Sequence, residues 1–526
     1  MMSLAKKHAV DLSDLLIDIV NSDCCPKLKI TGLCIDSRQV KNGDCFVALK
    51  GNLTDGANYI KQAIDQGAVA ALVDETSDVS IDTANIGIPV LWIKNLSSTV
   101  SKIAGRFYSY PSRRTNLVAF TGTNGKTTCS RLYAQLMFDI DNSNQQPRSA
   151  FIGTTGYGLI EPQSTQVDNS SQITTVKNTR LTTPDAVSVQ RILAELTHLG
   201  ANHIAMEASS HSLVQHRIAD LDIDTAVFTN LSRDHLDYHQ DLESYAAAKA
   251  KLFAMPSVKT AVINVDDTVG CQIAADLNAD IKLLSYSLEN TQADVYCTSI
   301  CMSIEGIDAT VVTPWGQGQL RSPLVGEFNL SNLLAVITVA CSQGMSLAQC
   351  LSVLPRLAAV PGRMQVVSID HKPKVIVDYA HTPDALEKAL LALKPHCSGQ
   401  LWVIFGCGGD RDTGKRSQMG RVADTYADRV VVTNDNPRNE MPEQIVEHIL
   451  QGIDGEVTVD LDRASAISNS IKQADDIDLI LIAGKGHENC QIVGNQRLPF
   501  SDCEQAMRAL TNDIARAVST TVGGVE

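Results

Sequence analysis

The sequence has few aromatic residues, less positive than negative charge, and no long apolar run. Its 526 residues include 44 Lys and Arg against 59 Asp and Glu, which gives a formal net charge of −15, and 5% of them are aromatic. An acidic chain is repelled by nucleic acid and by anionic membrane surfaces, so we expect neither as a partner. No stretch reaches the roughly 18 consecutive apolar residues that a membrane-spanning helix needs. The expected partners are small molecules. To bind an anionic ligand, this acidic protein would need positively charged side chains in the binding site itself.

Cysteine is frequent but has no motif spacing. The chain contains 14 cysteines and no C-x-x-C pair. A chain of this length does not need disulfides to be stable, so we expect free thiols in a reducing compartment. Three aspartates interrupt the short apolar stretch in the first twenty residues, which argues against a secretory signal peptide. We therefore expect a cytoplasmic protein.

Strand-like apolar runs alternate with helix-like segments along almost the whole chain, which predicts an α/β fold. A chain of this length is expected to form about two to four domains. Polar, proline-containing breaks at 110–116 and 358–365 divide it into three, at residues 1–114, 115–361 and 362–526. Residues 161–180 are polar and predict a long surface loop inside the middle domain.

The last third of the chain predicts a parallel sheet covered by helices on both faces. Apolar runs occur at 375–377, 401–405, 430–432 and 479–482. Between the first two runs, Thr382 is a suitable N-cap and Pro383 a suitable first residue for a helix. In such sheets ligands bind beyond the carboxyl ends of the strands. Those ends carry the polar strings DYAHTPD, GCGGDRDTGKR, NDNPR and AGKGHE, which predicts a binding edge there.

The string TGTNGKTT, residues 121–128, predicts a phosphate-binding loop between a strand and a helix. Gly122 and Gly125 would let backbone N–H groups turn toward phosphate oxygens, Lys126 would supply charge near the β- and γ-phosphates, and Thr127 would offer a hydroxyl to Mg²⁺. The first glycine of the usual G-x-x-x-x-G-K-[ST] pattern is absent, because Phe120 occupies its position.

Further polar residues follow the apolar runs of the middle domain. Glu207 ends one run, where a carboxylate is either a natural Mg²⁺ ligand or a solvent-facing strand end. The string FTNLSRDHLDYH contains Asp234, His235, Asp237 and His239. These four residues are compatible with a zinc or two-metal site, an acid–base site or a structural turn. Lys249 lies on a predicted helix, where a lysine is ordinarily solvated.

Taken together, these strings resemble the Mur ligases, which add amino acids to the UDP-N-acetylmuramoyl precursor of bacterial peptidoglycan. The resemblance covers nearly the whole chain and includes DSR…GDCFVAL, TGTNGKTT, MEASSHSLVQHR, TNLSRDHLDYH, GEFNLSN, PGRM, DYAHTPDAL, GCGGDRDTGKR, NDNPR and AGKGHE. The family's phosphate loop has the form TGTNGKT, so the missing first glycine fits it. The last three strings are most similar to those of the ligases that add meso-diaminopimelate.

The resemblance implies an ATP-dependent amide ligase that adds meso-diaminopimelate to the D-Glu of UDP-MurNAc-L-Ala-D-Glu through an acyl phosphate. It implies an N-terminal UDP-sugar-binding domain, a central P-loop ATPase with a mostly parallel sheet, and a C-terminal Rossmann-like domain that binds the amino acid. The implied cofactors are ATP and Mg²⁺, and the protein is expected to act as a monomer.

The resemblance also assigns roles to individual residues. Those matched to the UDP-MurNAc-dipeptide are Ile35, Ser37, Asn52, Leu53, Thr54, Thr182, Thr183, Ser209, Gln215 and Arg217. Those matched to ATP are Gly122, Thr123, Asn124, Gly125, Lys126, Thr127, Thr128, Asn329, Asn332, Arg363, Asp378 and His381. Those matched to Mg²⁺ are Thr127, Glu207, His235 and Lys249, of which Lys249 is carbamylated in the family. Lys126, Lys249, His235 and Glu207 are the implied catalytic residues.

The residues expected to bind diaminopimelate are Arg411, Asp435, Asn436, Pro437, Arg438, Gly484 and Glu488. Diaminopimelate differs from lysine by one carboxylate at its far end, and a guanidinium binds a carboxylate through two parallel hydrogen bonds. Arg438 is the expected selector, because lysine would leave its guanidinium unpaired.

Three alternatives remain from the sequence. A lysine-adding Mur ligase is disfavoured by Arg438. A folylpolyglutamate synthetase shares the phosphate loop and the acyl-phosphate chemistry, but it is disfavoured by the strings SSHSLVQHR, RDHLDYH and DNPR. A non-catalytic ATP-binding regulator is disfavoured by the complete set of implied catalytic residues.

Overall fold

The computed structural model describes residues 9–21, 25–51, 54–83, 85–141, 148–160, 176–179 and 181–511. Asn52, Leu53, most of the predicted surface loop at 161–180 and the side chain of Asp237 lie outside the described residues. The predicted α/β fold is confirmed, because three sheets that contain parallel strands follow one another along the chain and each is covered by helices. None of the described helices combines the length and the apolar content that crossing a membrane requires. The thirteen described cysteines are free thiols.

The first sheet has four parallel strands, in the spatial order Gly32–Cys34, Asp44–Ala48, Ala70–Asp74 and Val90–Ile93. Helix Leu96–Phe107 packs on one face and helix Ile60–Asp65 on the other. Both faces are therefore buried, which explains why the two middle strands are apolar almost throughout. A short antiparallel pair, Val10–Asp11 with Lys29–Ile30, and helix Leu12–Leu15 precede this sheet.

The second sheet has ten strands, seven of them consecutive and parallel. Its spatial order is Gly316–Ser322, Gly306–Thr313, Val295–Ser303, Lys282–Ser287, Thr260–Asn264, Thr225–Phe228, Asn116–Thr121, Ala201–Glu207, Arg148–Gly153 and Gly156–Leu159. The first two strands and the last one are antiparallel to their neighbours. The helices of this part are Lys126–Asp141, Ala186–His198, Ser210–Val214, Leu236–His239, Leu242–Ala250, Thr268–Ala275, Glu327–Ser342 and Leu347–Val353.

The third sheet has six strands, in the order Gln365–Val367, Lys374–Asp378, Leu479–Ala483, Leu401–Phe405, Arg429–Val432 and Val457–Val459. All but the first run parallel, as predicted. Helices Pro383–Leu393, Gly414–Tyr426, Pro442–Leu450 and Arg463–Gln473 and a helical stretch at 502–511 cover it. The predicted cap is also confirmed, because the Thr382 hydroxyl accepts the Ala385 N–H at 3.3 Å. A hairpin, Cys490–Val493 with Gln496–Pro499, follows the sheet.

Candidate active site

The predicted phosphate loop joins the end of strand Asn116–Thr121 to the start of helix Lys126–Asp141. Gly125 has a φ of 87°, in the left-handed region that favours glycine. A Cβ there would lie 2.6 Å from the Asn332 Oδ1 atom, so helix Glu327–Ser342 packs directly on the loop. The Asn124 N–H donates to Asn230 Oδ1 at 2.9 Å, and the Thr229 hydroxyl donates to the Asn124 carbonyl at 2.6 Å. The residues that follow the neighbouring strand Thr225–Phe228 therefore fix the conformation of the loop.

A half-buried lysine and a buried one share one carbonyl oxygen of this loop. Lys126 Nζ donates to the carbonyl oxygens of Gly122 at 2.9 Å and Thr123 at 2.8 Å, and Lys249 Nζ donates to that of Gly122 at 2.6 Å. Lys249 is 1% exposed and its Nζ lies 4.2 Å from the centre of the Tyr245 ring. Burial first, and the charge of Lys126 second, lower the pKa of Lys249 well below its ordinary value.

The expectation that Lys249 is a solvated helix lysine is therefore wrong. Helix Leu242–Ala250 turns the face that carries Tyr245 and Lys249 inward, and the other described lysine at the end of this segment, Lys251, is exposed. Burial of a lysine is unfavourable unless its ammonium group is hydrogen-bonded or neutral. Here the loop carbonyl supplies the hydrogen bond.

Glu207 is buried beside the same loop. Strand Ala201–Glu207 pairs with the phosphate-loop strand, with Glu207 opposite Phe120. Glu207 is 1% exposed. Its carboxylate accepts hydrogen bonds from the Thr154 N–H at 2.7 Å and from the Thr154 hydroxyl at 2.9 Å. The solvent-facing alternative for Glu207 is therefore wrong. Thr154 was not predicted; the available signal was a Thr-Thr pair directly after the apolar run of strand Arg148–Gly153.

Asp234 lies between histidines from two parts of the chain. Its Oδ2 atom is 3.4 Å from His235 Nε2 and 3.8 Å from His381 Nε2. Burial lowers the pKa of His235 to about 3 and that of His381 to about 4, although Asp234 opposes both shifts. Both imidazoles are therefore neutral near pH 7.

His239 is part of the packing. Its Nε2 atom lies 2.8 Å from the Ser210 hydroxyl, and its ring packs 5.1 Å from that of Tyr245. Within the described side chains, no three His, Cys, Asp or Glu residues are grouped so as to hold a metal. The zinc-site alternative therefore has no ligand set there.

The residues matched to the muramoyl-dipeptide come together next to Glu207. The Thr183 hydroxyl donates to the Glu207 carbonyl at 2.8 Å and accepts the Ser209 N–H at 3.0 Å. Arg217 donates to the Thr183 carbonyl at 2.8 Å and to Gln215 Oε1 through Nε at 3.0 Å. The Thr182 and Thr154 hydroxyl oxygens lie 3.1 Å apart, and Thr154 donates its one hydroxyl proton to Glu207 Oε2. This set forms one connected polar group beside the phosphate loop.

The residues matched to the nucleotide sugar lie in the N-terminal domain. Ser37 is buried and its hydroxyl donates to Gln62 Oε1 at 2.8 Å. Ile35 packs against the core of the first sheet, whereas Thr54 is exposed.

The C-terminal domain contacts the phosphate loop directly. Arg363 Nη2 donates to the Thr127 hydroxyl at 3.3 Å while its guanidinium lies 4.4 Å from the centre of the Tyr379 ring. Asn124 Nδ2 donates to Asp384 Oδ2 at 3.0 Å. Asp378 uses both oxygens to accept the N–H groups of the backbone at Met364, at 2.7 Å, and at Ala380, at 2.8 Å, so it fixes the segment that carries Arg363.

Asn329 and Asn332 bond each other on the helix behind the loop, with Asn332 Nδ2 donating to Asn329 Oδ1 at 3.3 Å. Two other predicted ATP residues belong to the phosphate loop and the helix that follows it. The Thr123 hydroxyl donates to the Ser232 carbonyl at 3.2 Å, and Thr128 is buried in the first turn of helix Lys126–Asp141. The predicted ATP residues are therefore gathered around one loop, from both the middle and the C-terminal domains.

The predicted binding edge of the C-terminal sheet gathers Asn436, Arg438, Gly484 and Glu488. Asn436 Nδ2 donates to Glu488 Oε2 at 2.8 Å. Arg438 Nη1 donates to the Gly409 carbonyl at 2.7 Å, and burial together with the nearby charge of Arg411 lowers the pKa of Arg438.

Two neighbours complete this edge. Asp435 is buried, and a Cβ on Gly484 would lie 2.6 Å from its Oδ2 atom. Pro437 is buried against Gly409. Lys485, between two glycines of the AGKGHE string, is fully buried here and was not among the predicted site residues. A lysine at the end of an apolar strand was the signal that could have drawn attention to it.

Family models match the chain over three ranges. The Mur ligase middle domain matches residues 120–340, the Mur ligase glutamate ligase domain matches 362–486, and the Mur ligase family catalytic domain matches 29–108. The chain belongs to the Mur ligase family. The match to the Mur ligase middle domain thus coincides with the ten-stranded sheet, and the match to the glutamate ligase domain coincides with the six-stranded sheet.

Individual relatives agree with this membership. The chain is 43% identical over 502 residues to the UDP-N-acetylmuramoyl-L-alanyl-D-glutamate–2,6-diaminopimelate ligase of Coxiella burnetii, covering 94% of this chain and 98% of the relative. It is 45% identical over 488 residues to the same ligase of Pseudomonas aeruginosa, covering 92% and 95%. A solved structure of a ligase of that name has a TM-score of 0.66 at 37% identity, covering 96% and 99%.

The folylpolyglutamate synthase of Mycobacterium tuberculosis has a similar fold but a distant sequence. Its ADP complex has a TM-score of 0.58 at 17% identity and covers 74% of this chain and 92% of that one. This likeness concerns the fold alone.

Proposed function

We propose that this protein is an ATP-dependent ligase that joins meso-diaminopimelate to the D-Glu of UDP-MurNAc-L-Ala-D-Glu in peptidoglycan precursor synthesis. The observation that carries the proposal is the 43% identity to a diaminopimelate ligase over 94% of this chain. The grouping of the matched residues around one phosphate loop and one sheet edge supports it.

The reaction joins a carboxylate to an amine at the expense of ATP. The γ-phosphoryl group passes to the γ-carboxylate of D-Glu, which gives an acyl phosphate and ADP. The amine of diaminopimelate then attacks the carbonyl carbon, loses a proton, and phosphate leaves. Lys126, half-buried in the loop, is suited to offset the charge that develops on the phosphates.

An acyl phosphate would hydrolyse in open water, so the site must be closed during the reaction. The contacts from Arg363 to Thr127 and from Asn124 to Asp384 support such closure, because they join the C-terminal domain to the phosphate loop. We infer that these contacts help to keep water from the intermediate.

The residues around the loop fit Mg²⁺ bound together with ATP. Mg²⁺ prefers oxygen ligands, keeps several waters, and is held in such sites by one or two carboxylates plus phosphate oxygens. Thr127 and the buried carboxylate of Glu207 would hold one ion, and His235 with a carbamylated Lys249 would hold a second. When bound, Mg²⁺ neutralises phosphate charge. The lowered pKa of Lys249 supports carbamylation, because only a neutral amine reacts with CO₂.

Arg438 is the residue we propose to select diaminopimelate over lysine. Its Nη1 atom is anchored by the Gly409 carbonyl and its pKa is lowered by burial and by Arg411. A guanidinium that is fixed in place and destabilised by burial and by a second positive charge favours binding of an anion. We propose that this anion is the far carboxylate of diaminopimelate.

The test is phosphate release from ATP in the presence of UDP-MurNAc-L-Ala-D-Glu and Mg²⁺, with meso-diaminopimelate or L-lysine as the amine and the product mass measured. We expect turnover and a tripeptide product with diaminopimelate only. Turnover with L-lysine alone would keep the ligase and refute the role of Arg438. No turnover with either amino acid would refute the proposed function.

A further inference from the structure

A fully buried lysine lies under the predicted amino-acid site. Lys485 is 0% exposed and lies between Gly484, with a φ of 114°, and Gly486, with a φ of 53°. Both glycines have backbone conformations that residues with a Cβ rarely adopt. The turn they make directs the Lys485 side chain beneath the edge of the sheet, where an ammonium group must find hydrogen-bond acceptors.

The acceptors it finds are two of the predicted diaminopimelate residues. Lys485 Nζ donates to Asn436 Oδ1 at 3.0 Å and to Glu488 Oε2 at 2.9 Å. Asn436 Nδ2 donates to the same Glu488 oxygen at 2.8 Å. The three side chains therefore form a closed triangle, in which Lys485 is the only cation.

This triangle determines which way the Asn436 amide faces. Its Oδ1 atom accepts from Lys485 and also from the Ile492 N–H at 2.9 Å. Rotating the amide by half a turn would place its NH₂ group against two donors and its oxygen against the Glu488 carboxylate, and the Ile492 N–H would lose its acceptor. The Asn436 NH₂ group is thereby committed to Glu488.

The triangle also determines which part of Glu488 remains available. Oε2 accepts two hydrogen bonds, whereas Oε1 has no hydrogen-bond partner among the residues that the structure describes. The Glu488 side chain is 30% exposed. One oxygen thus anchors the carboxylate, and the other keeps its capacity to accept hydrogen bonds.

We propose that Lys485 is a positioning residue for the amino-acid substrate, which holds Asn436 and Glu488 so that Glu488 presents its Oε1 atom to the substrate's ammonium group. This inference rests on the proposed function, since it concerns the residues we assign to diaminopimelate. Lys485 acts through its two partners and does not contact the substrate itself. Its loss should therefore affect the amino acid and leave ATP almost unaffected.

The experiment is a double-mutant cycle of Lys485→Met with Glu488→Gln, measured by steady-state phosphate release with diaminopimelate and then ATP as the varied substrate. Lys485→Met takes one hydrogen bond from Asn436 and one from Glu488, so both lose part of their support, and kcat/KM for diaminopimelate is expected to fall about 10–100-fold, mainly through KM. The KM for ATP should change by less than about threefold. Because Lys485 acts through Glu488, the double variant should lose less than the product of the two single losses.

Lys472→Met is the matched control, because Lys472 is an exposed lysine on helix Arg463–Gln473 of the same domain. Thermal unfolding and ADP binding check that each variant is folded. If Lys485→Met does not fold, Lys485→Arg takes its place in the cycle, because it keeps a cation in the triangle but shifts its donors.

Several outcomes would overturn the inference. The first is a Lys485 variant whose kinetics with diaminopimelate are unchanged. The second is an equal loss of kcat/KM for diaminopimelate and for ATP. The third is a double variant whose loss in kcat/KM equals the product of the two single losses. If the wild-type protein accepts L-lysine instead of diaminopimelate, the proposed amino-acid substrate is wrong although the ligase activity stands, and the same cycle with L-lysine still decides the role of Lys485.

Discussion

Arg438→Ala tests the proposed selectivity most directly. The guanidinium is held by its Nη1 bond to the Gly409 carbonyl at 2.7 Å, and the backbone N–H of Arg438 is held by the Ile492 carbonyl at 3.1 Å. The side chain is therefore fixed before the substrate arrives, and its other N–H groups can meet a carboxylate. Arg438 has a φ of 51°, but arginine and alanine both carry a Cβ, so the substitution adds no backbone strain.

The expected magnitude follows from the half-buried position of Arg438. Truncating one partner of a buried, hydrogen-bonded charge pair costs about 2–5 kcal/mol. Partial exposure to water favours the lower part of this range, about 2–3.5 kcal/mol, which corresponds to an about 30–400-fold loss in kcat/KM for diaminopimelate. Arg438→Lys keeps a charge but loses the two parallel donors, so we expect an intermediate loss.

The assay is steady-state phosphate release with diaminopimelate and then ATP as the varied substrate. We expect the KM for ATP to change by less than about twofold in Arg438→Ala. Arg497→Ala is the control, because Arg497 is an exposed arginine on the adjacent hairpin strand Gln496–Pro499. Equal losses for both substrates, or an equal loss in the control variant, would refute the reasoning.

Three further predictions concern other parts of the molecule. Gly125→Ala places a Cβ in a left-handed residue against a packed helix, and we expect ADP binding, measured by calorimetry, to be lost while the protein stays folded; retained affinity would contradict this. Arg463→Met leaves Asp502 buried without its ion pair, and chemical denaturation should show the C-terminal domain to be destabilised by about 3–5 kcal/mol; a loss below about 1 kcal/mol would contradict it. Burial lowers the pKa of His487 to about 3, so the unfolded state binds more protons below pH 6.5 and stability is lost as the pH falls from 6.5 toward 3. His487→Gln should reduce this pH dependence of the melting temperature, whereas a variant of the exposed His371 should not.

The local pattern of the sequence was sufficient for the framework of the fold. The strand, the loop and the helix around TGTNGKTT form where the apolar run and the glycines predict them, and Thr382 caps its helix as expected. The four apolar runs of the last third form parallel strands with the polar strings at their carboxyl ends. These features follow from interactions between residues close in the chain, so a local pattern is enough to predict them.

Burial of single polar residues was decided only by the tertiary structure. Lys249 and Lys485 are both lysines that the local sequence leaves ambiguous, and both are buried, because a loop carbonyl in one case and an asparagine with a glutamate in the other accept their hydrogen bonds. Glu207 is buried because Thr154, from a neighbouring strand end, supplies two donors. Each of these acceptors or donors is brought close by the packing of sheets and helices, so no spacing within a motif encodes it. The sequence by itself determined the elements and the family; the packing of three sheets decided which charged groups leave water and face one another.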